Sequence, residues 1–248
     1  MAYTPANYLV CQNFEGTGFD NSEYWIKGFE DTPSTGVVDE DYTSAPLIGS
    51  QSLRMKDDAD YGGYTVHKWR GDDGGIDEAW FCFMVKFLDS PSNETLVEIM
   101  QTYWVEGTLD SPTTVELHEI IGVDSSGHLG VFNEQEGEVG EGAALSLNTL
   151  YYVWYHINRA DLSNATWELY VSETTTKPGS PYASGTSQIN SVASTTYINA
   201  LGFTTFHAEG YEYLIDRAIV DDAEIGDVDE EAAAGGAYYQ HYYLSVVT

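Results

Sequence analysis

Ala79-Trp80-Phe81-Cys82-Phe83-Met84-Val85-Lys86-Phe87 is apolar at all but one position. A short run of this kind, aromatic-rich and free of Gly and Pro, reads as a central strand buried on both faces. Working outward, strand-like runs recur on both sides of it: Tyr8–Phe14, Gln51–Lys56, Thr95–Trp104, Thr113–Val123, Leu129–Asn133, Tyr151–Asn158, Thr166–Glu173 and Tyr213–Val220. In Gln51–Lys56 the apolar residues Leu53 and Met55 alternate with polar ones, and Asp161-Leu-Ser-Asn-Ala165 has the composition of a hairpin connection. No long apolar stripe of helical period interrupts the series. The rhythm predicts an all-β fold, a two-sheet antiparallel jelly-roll sandwich closed by the late strand Tyr213–Val220.

Three stretches read as long loops. Residues 57–75 are rich in Asp and Gly but carry Tyr61, Tyr64 and Trp69; residues 133–142 are acidic and Gly-rich; residues 177–194 are polar and contain Pro178 and Pro181. The composition changes again after Gly226, to an acidic patch, an Ala/Gly run from Ala232, and then Tyr238-Tyr239-Gln240-His241-Tyr242-Tyr243. This predicts a sandwich over residues 1–226, followed by a linker and an aromatic terminal strand over 227–248.

Nine Lys and Arg face 40 Asp and Glu in the 248 residues, a formal net charge of −31. Such a polyanion repels phosphate backbones and anionic lipid, and no local basic patch offsets it, so nucleic acid and membrane insertion are excluded as expectations. The acidity fits solubility in salt, cation binding or docking onto a basic partner. Cys11 and Cys82 both lie among apolar residues; buried free thiols are the default reading, with a disulfide the alternative. The first residues lack the basic and apolar regions of a secretory leader. On that ground the sequons at Asn93 and Asn164 carry little weight, and synthesis in a cytosol is expected.

Three motifs carry a resemblance. Asn13-Phe-Glu-Gly-Thr-Gly-Phe-Asp20 is a strand running into a Gly-rich turn, Gly49-Ser-Gln-Ser-Leu-Arg-Met55 is a Gly-x-x-Ser-Leu-basic-apolar strand, and Tyr213-Leu-Ile-Asp-Arg-Ala-Ile-Val-Asp-Asp222 pairs apolar residues with Asp. In order and spacing, over roughly residues 8–226, the chain resembles the concanavalin A-like lectin/glucanase (LamG-type) superfamily and the related jelly-roll carbohydrate-binding modules. It also resembles virion-associated jelly-roll proteins of tailed bacteriophages. This fold hosts many activities, so function has to be argued from sites.

The enzyme branch of the superfamily carries Glu-x-Asp-x-Glu on a core strand, because glycoside hydrolysis needs two carboxylates flanking the scissile bond. Glu94-Thr-Leu-Val-Glu98 has the outer spacing with Leu96 at its centre, and Glu134-Gln-Glu-Gly-Glu138 lies in a Gly-rich segment. Neither meets the pattern, and no histidine falls in a recognisable catalytic pairing, so no enzymatic activity is expected. In the related binding modules a structural calcium is held by a Glu after the first strand and an Asp on the closing strand. The resemblance implies Glu15 and Asp216 for these roles, with Asp20, Asp221 or Asp222 contributing; oxygen ligands of this kind suit calcium. The alternative is that Glu15 or Asp216 pairs with Arg217, Arg54 or a backbone amide.

Sugar binding requires an aromatic platform with flanking amides and carboxylates. Tyr61, Tyr64, Trp69 and Trp104 are the principal candidates, with Tyr103 and Trp25 beside them; Trp80, Trp154 and Trp167 alternate with apolar neighbours and read as core. For Trp69 and Trp104 core and platform readings are both open. Tyr238, Tyr239, Tyr242 and Tyr243 fit strand addition to a neighbouring subunit, or return of the tail onto the domain's own sheet edge. Two functions follow. The first is a non-catalytic module on a phage virion surface, assembled in host cytoplasm, with virion subunits or further copies of itself as partners. The second is a carbohydrate-binding module for glycan or host-surface adhesion, in an extracellular setting. A glycan-active enzyme is a distant third.

Overall fold

The computed structural model describes residues 10–12, 14, 25–29, 37–56, 63–69, 75–92, 97–109, 111–133, 137–161, 163–187, 197–205 and 211–228. They form fifteen strands: β1 (Val10–Gln12), β2 (Trp25–Phe29), β3 (Val37–Tyr42), β4 (Ser52–Lys56), β5 (Gly63–Lys68), β6 (Glu78–Phe87), β7 (Val97–Thr108), β8 (Ser111–Val123), β9 (His128–Asn133), β10 (Gly137–Ala144), β11 (Leu150–Asn158), β12 (Ala165–Ser172), β13 (Ala183–Ser187), β14 (Ala200–Thr204) and β15 (Glu212–Asp221). No helix long and apolar enough to cross a membrane occurs among the described residues.

Every strand pairing is antiparallel. Sheet A runs β13-β12-β11-β6-β15-β4-β3, and sheet B runs β10-β9-β8-β7-β14-β5-β2. The apolar run read first from the sequence is β6, and it lies near the middle of sheet A between β11 and β15. The closing strand β15 is long enough to take two partners on its other side: β4 pairs with its first half (Tyr213↔Met55) and β1 with its second (Val10↔Val220). The first and last described strands therefore meet in one sheet, as the sandwich reading expected.

Between the sheets, Phe81, Phe83, Val85 and Phe87 of β6 pack with Val153, Tyr155 and Ile157 of β11, and with Ile99, Ile121, Val131 and Phe203 of sheet B. Burial of this layer is the main stabilising term. The other side of β6 is apolar too. Trp80, Cys82 and Met84 join Tyr152, Trp154, Tyr170 and Ile219 in a second layer on the outer face of sheet A. Trp80 and Trp154 are thus core residues on the side away from sheet B, whereas Trp167 lies between the sheets. Cys82 is a free thiol in this outer layer, and burial raises its pKa.

Residues 222–228 cross this outer face as a strap. Ile225 and Val228 cover the aromatic layer. Trp154 Nε1 donates to the Gly226 carbonyl at 3.1 Å, and the Val228 amide donates to Thr175 at 2.9 Å. The Lys177 ammonium sits 3.8 Å from the Tyr170 ring centroid and 4.8 Å from that of Trp80, and pairs with Glu224 at 2.9 Å. Cation–π and ion-pair contacts therefore clasp the strap to the sheet.

The three stretches expected to be loops each carry strand: β5 lies within 57–75, β10 begins in 133–142 and runs on to Ala144, and β13 lies within 177–194. For β10 and β13 the reason is packing. These edge strands approach one another across the sandwich, and Trp167 fills the space between them. A Cβ built on Gly140 would lie 3.1 Å from the Trp167 ring, and one on Gly185 2.9 Å from it. Glycine is required there by a close approach, not by a turn.

Candidate functional site

The outer face of sheet B gathers the side chains that suit ligand contact. Along β5, Thr65 faces inward opposite Phe203, so Tyr64, Val66 and Lys68 face out. On β7, Tyr103 stands opposite Ala200 of the intervening strand β14. Val66, Val105, Leu109 and Ala200 form a small apolar cluster, and the half-buried rings of Tyr64 and Tyr103 pack against it. Gly202 makes this arrangement possible. A Cβ there would meet Tyr103 Cε2 at 3.0 Å and Val66 Cγ2 at 3.1 Å, so a side chain would press the tyrosine ring away from β14 by a few tenths of an ångström.

Polar groups border the rings. Tyr103 donates its hydroxyl hydrogen to Gln101 Oε1, and Gln101 Nε2 donates to Glu98 Oε2. Residues 98 and 101 differ in parity and would ordinarily face opposite ways. The register shift between Glu98 and Met100 in the β7–β8 pairing puts both on the outer face. Burial, then the nearby Glu98 and Tyr64, raise the Tyr103 pKa, so this phenol keeps its proton. The Lys68 ammonium donates to the Gly107 carbonyl at the end of β7.

Of the residues singled out in the sequence, Tyr64 and Tyr103 come together on this face. Trp104 is on the opposite face of the same strand and is buried, its ring 6.0 Å from that of Tyr197. Trp69 is half-buried against the inter-sheet core, edge-on to Phe81 at 6.3 Å. Tyr61, Glu15, Asp20 and the tyrosines Tyr238, Tyr239, Tyr242 and Tyr243 lie outside the described residues, as does the Trp25 side chain. Gln101 and Glu98 were not read from the sequence as partners of Tyr103, because only the bulge aligns them.

Asp216 lies on the outer side of sheet A, fully buried. Its Oδ2 accepts from Ser52 Oγ at 2.9 Å and its Oδ1 from the Arg217 amide at 2.8 Å, while Ser52 Oγ accepts from the Leu47 amide at 2.8 Å. Burial, partly offset by these bonds, pushes its carboxyl up to about 8. This is the geometry of a loop clamp. Asp221 and Asp222 follow at the strand end, where the Asp222 amide donates to Asp221 Oδ1. With Glu15 and Asp20 undescribed, the calcium expectation rests on the sequence alone.

A third polar group is sealed between the sheets. A second register shift in the β7–β8 pairing, between Gln101 and Tyr103, leaves His118 and Glu119 unpaired. Both are buried, and Arg159 meets them from the end of β11. Arg159 Nε lies 3.5 Å from Glu119 Oε1, and Nη1 donates to His118 Nδ1. Burial and the adjacent guanidinium lower the His118 pKa and keep it neutral. Tyr155 Oη, Arg159 Nη2 and Trp167 Nε1 have no hydrogen-bond partner among the described residues, which fits buried water in the interior.

No protein-family model matches the chain, and no curated protein matches it. Solved structures do match in fold. The cellulose-induced protein Cip1 aligns with a TM-score of 0.59 at 13% identity, over 88% of this chain and 99% of that one. An endo-β-1,4-glucuronan lyase from Trichoderma reesei aligns at 0.56 and 13%, over 91% and 99%. A carbohydrate esterase from the Shiga toxin-encoding bacteriophage phi24B aligns at 0.51 and 14%, over 86% and 97%. At these identities the likeness concerns the fold: the chain is a two-sheet antiparallel jelly-roll sandwich.

Proposed function

We propose that the chain is a carbohydrate-binding module that holds a neutral glycan on the outer face of sheet B. The observation that carries this reading is the pair of half-buried rings, Tyr64 and Tyr103, on the apolar cluster of this face, with the Tyr103 hydroxyl held by the buried Gln101 and Glu98. Aromatic faces of this kind stack on the C–H faces of sugars. Glu98 and the net charge of −31 disfavour acidic sugars. Binding without cleavage is the reading for this site. A tyrosine whose proton is held by Gln101, with a pKa raised by burial, is a poor general base at neutral pH. Two of the fold's neighbours are by their descriptions a glucuronan lyase and a carbohydrate esterase, and they support a glycan-related role.

The test is an array of neutral oligosaccharides probed with the wild-type protein, Tyr64→Ala and Tyr103→Ala. Binding that weakens about tenfold or more in each variant, roughly 1.4 kcal/mol, is expected. Binding to no neutral glycan sinks the reading. A second reading, in which the same module is carried on a phage particle, draws on the likeness to the phage-encoded esterase. It predicts that deleting residues 238–248 abolishes incorporation into particles; unchanged incorporation counts against it.

A further inference from the structure

Three chelating side chains converge at the β8–β9 hairpin, away from the proposed glycan face. Asp124 directly follows β8, His128 opens β9, and Glu141 comes from β10. Their ligand atoms all lie within 4.8 Å of one another. His128 Nδ1 is 2.9 Å from Asp124 Oδ2 and 4.0 Å from Glu141 Oε1.

The hairpin fixes this arrangement before any ligand arrives. Asp124 Oδ1 accepts from the amides of Ser126 at 2.9 Å and His128 at 2.8 Å, which orients the carboxylate and leaves Oδ2 turned toward the imidazole. The turn closes at Gly127, with φ of 85°, where a Cβ would lie 2.6 Å from the Leu145 carbonyl oxygen. The β9–β10 register, with Glu141 opposite Gly130 and Ala144 opposite His128, brings the third carboxylate alongside.

Beside the cluster is a small open recess, with Asp124 and Gly127 in its wall together with Asp89, Ser90 and Tyr211. Tyr211 is fully buried, and its hydroxyl has no hydrogen-bond partner among the described residues. The best-oriented carboxylate of the cluster therefore borders a space open to solvent, through which an ion can reach it.

We propose that Asp124, His128 and Glu141 form a three-ligand site for a divalent transition metal of the zinc class. One imidazole and two carboxylates suit zinc or its first-row neighbours, with the remaining position open to water; calcium does not take imidazole nitrogen as a ligand. A hydrogen-bonded hairpin clasp alone would explain the Asp124–His128 contact, but not the third carboxylate beside it.

The experiment titrates the chelator-stripped full chain with zinc chloride and, separately, with calcium chloride, reading the melting temperature and the heat of binding. Zinc should bind at one site and raise the melting temperature. Glu141→Gln and His128→Asn should each weaken that binding by at least about tenfold; the Glu141 side chain is exposed, so its replacement leaves the fold in place. No zinc-dependent shift overturns the proposal. So does equal zinc binding by wild type and both variants, which assigns the metal to scattered surface carboxylates. Calcium binding with the same dependence on Glu141 overturns the choice of metal class.

Discussion

The two outer faces of the sandwich differ in how they end. On sheet A an aromatic layer of Trp80, Tyr152, Trp154 and Tyr170 is covered by Ile225 and Val228 of the strap and by Leu47 and Ile48. Its would-be binding groups are already engaged: Lys177 occupies the space over Tyr170 and Trp80. His156 stacks on Trp80 at 4.2 Å, and its Nε2 lies 2.9 Å from Glu78. On sheet B the apolar cluster is smaller and the tyrosines stand half-buried at its surface. Aromatic content alone does not mark a binding face. What matters is whether the chain itself supplies the ligand, and on sheet A it does.

Substitutions can break this contrast. Trp154 is fully buried and hydrogen-bonded to the strap, so Trp154→Ala should cost about 3–5 kcal/mol in urea unfolding while leaving glycan affinity in the folded protein unchanged. A cost near zero would mean that the sheet A layer is not structural.

A second test separates the faces by pH. An unfolded Asp216 titrates near 3.8, and the folded one at about 8. Between these values the native state holds a proton that the unfolded chain releases. The contribution is therefore full below about pH 4 and is lost as pH rises toward 8. Melting temperature should fall over this window, and less so in Asp216→Asn, with glycan affinity unaffected by the substitution; equal falls in both proteins would locate the titration elsewhere.

The smallest effect on stability is expected at Gly202. A Cβ there crowds the Tyr103 ring at 3.0 Å. Gly202→Ala should lower stability by about 1–3 kcal/mol and weaken glycan binding in parallel with Tyr103→Ala. Retained affinity would separate the glycan from the tyrosine pair.

The sequence carried much of this fold, though unevenly. Strands β1, β4, β6, β7, β8, β9, β11, β12 and β15 were legible because each carries apolar residues, in a run or in alternation with polar ones. Strands β10 and β13 were hidden by the glycines that admit Trp167, since a glycine needed for contact looks the same in sequence as one needed for a turn. The charged β3 and the short β14 lack the apolar alternation that signals a strand. Tyr64 and Tyr103 were legible as candidate aromatics. Their polar neighbours were not, because a β-bulge decides whether Glu98 shares a face with Gln101. Asp124 and His128 are close in the chain, but Glu141 reaches them only through the β9–β10 register, which no local pattern encodes.

The strap also decides how a pulling force would enter the fold. By crossing sheet A, residues 222–228 bring the backbone to Val228, on the side of the sandwich opposite Tyr64 and Tyr103. A pull on the backbone at Val228 loads the clasp of Lys177, Glu224 and Trp154 first, before any strand of sheet B is strained.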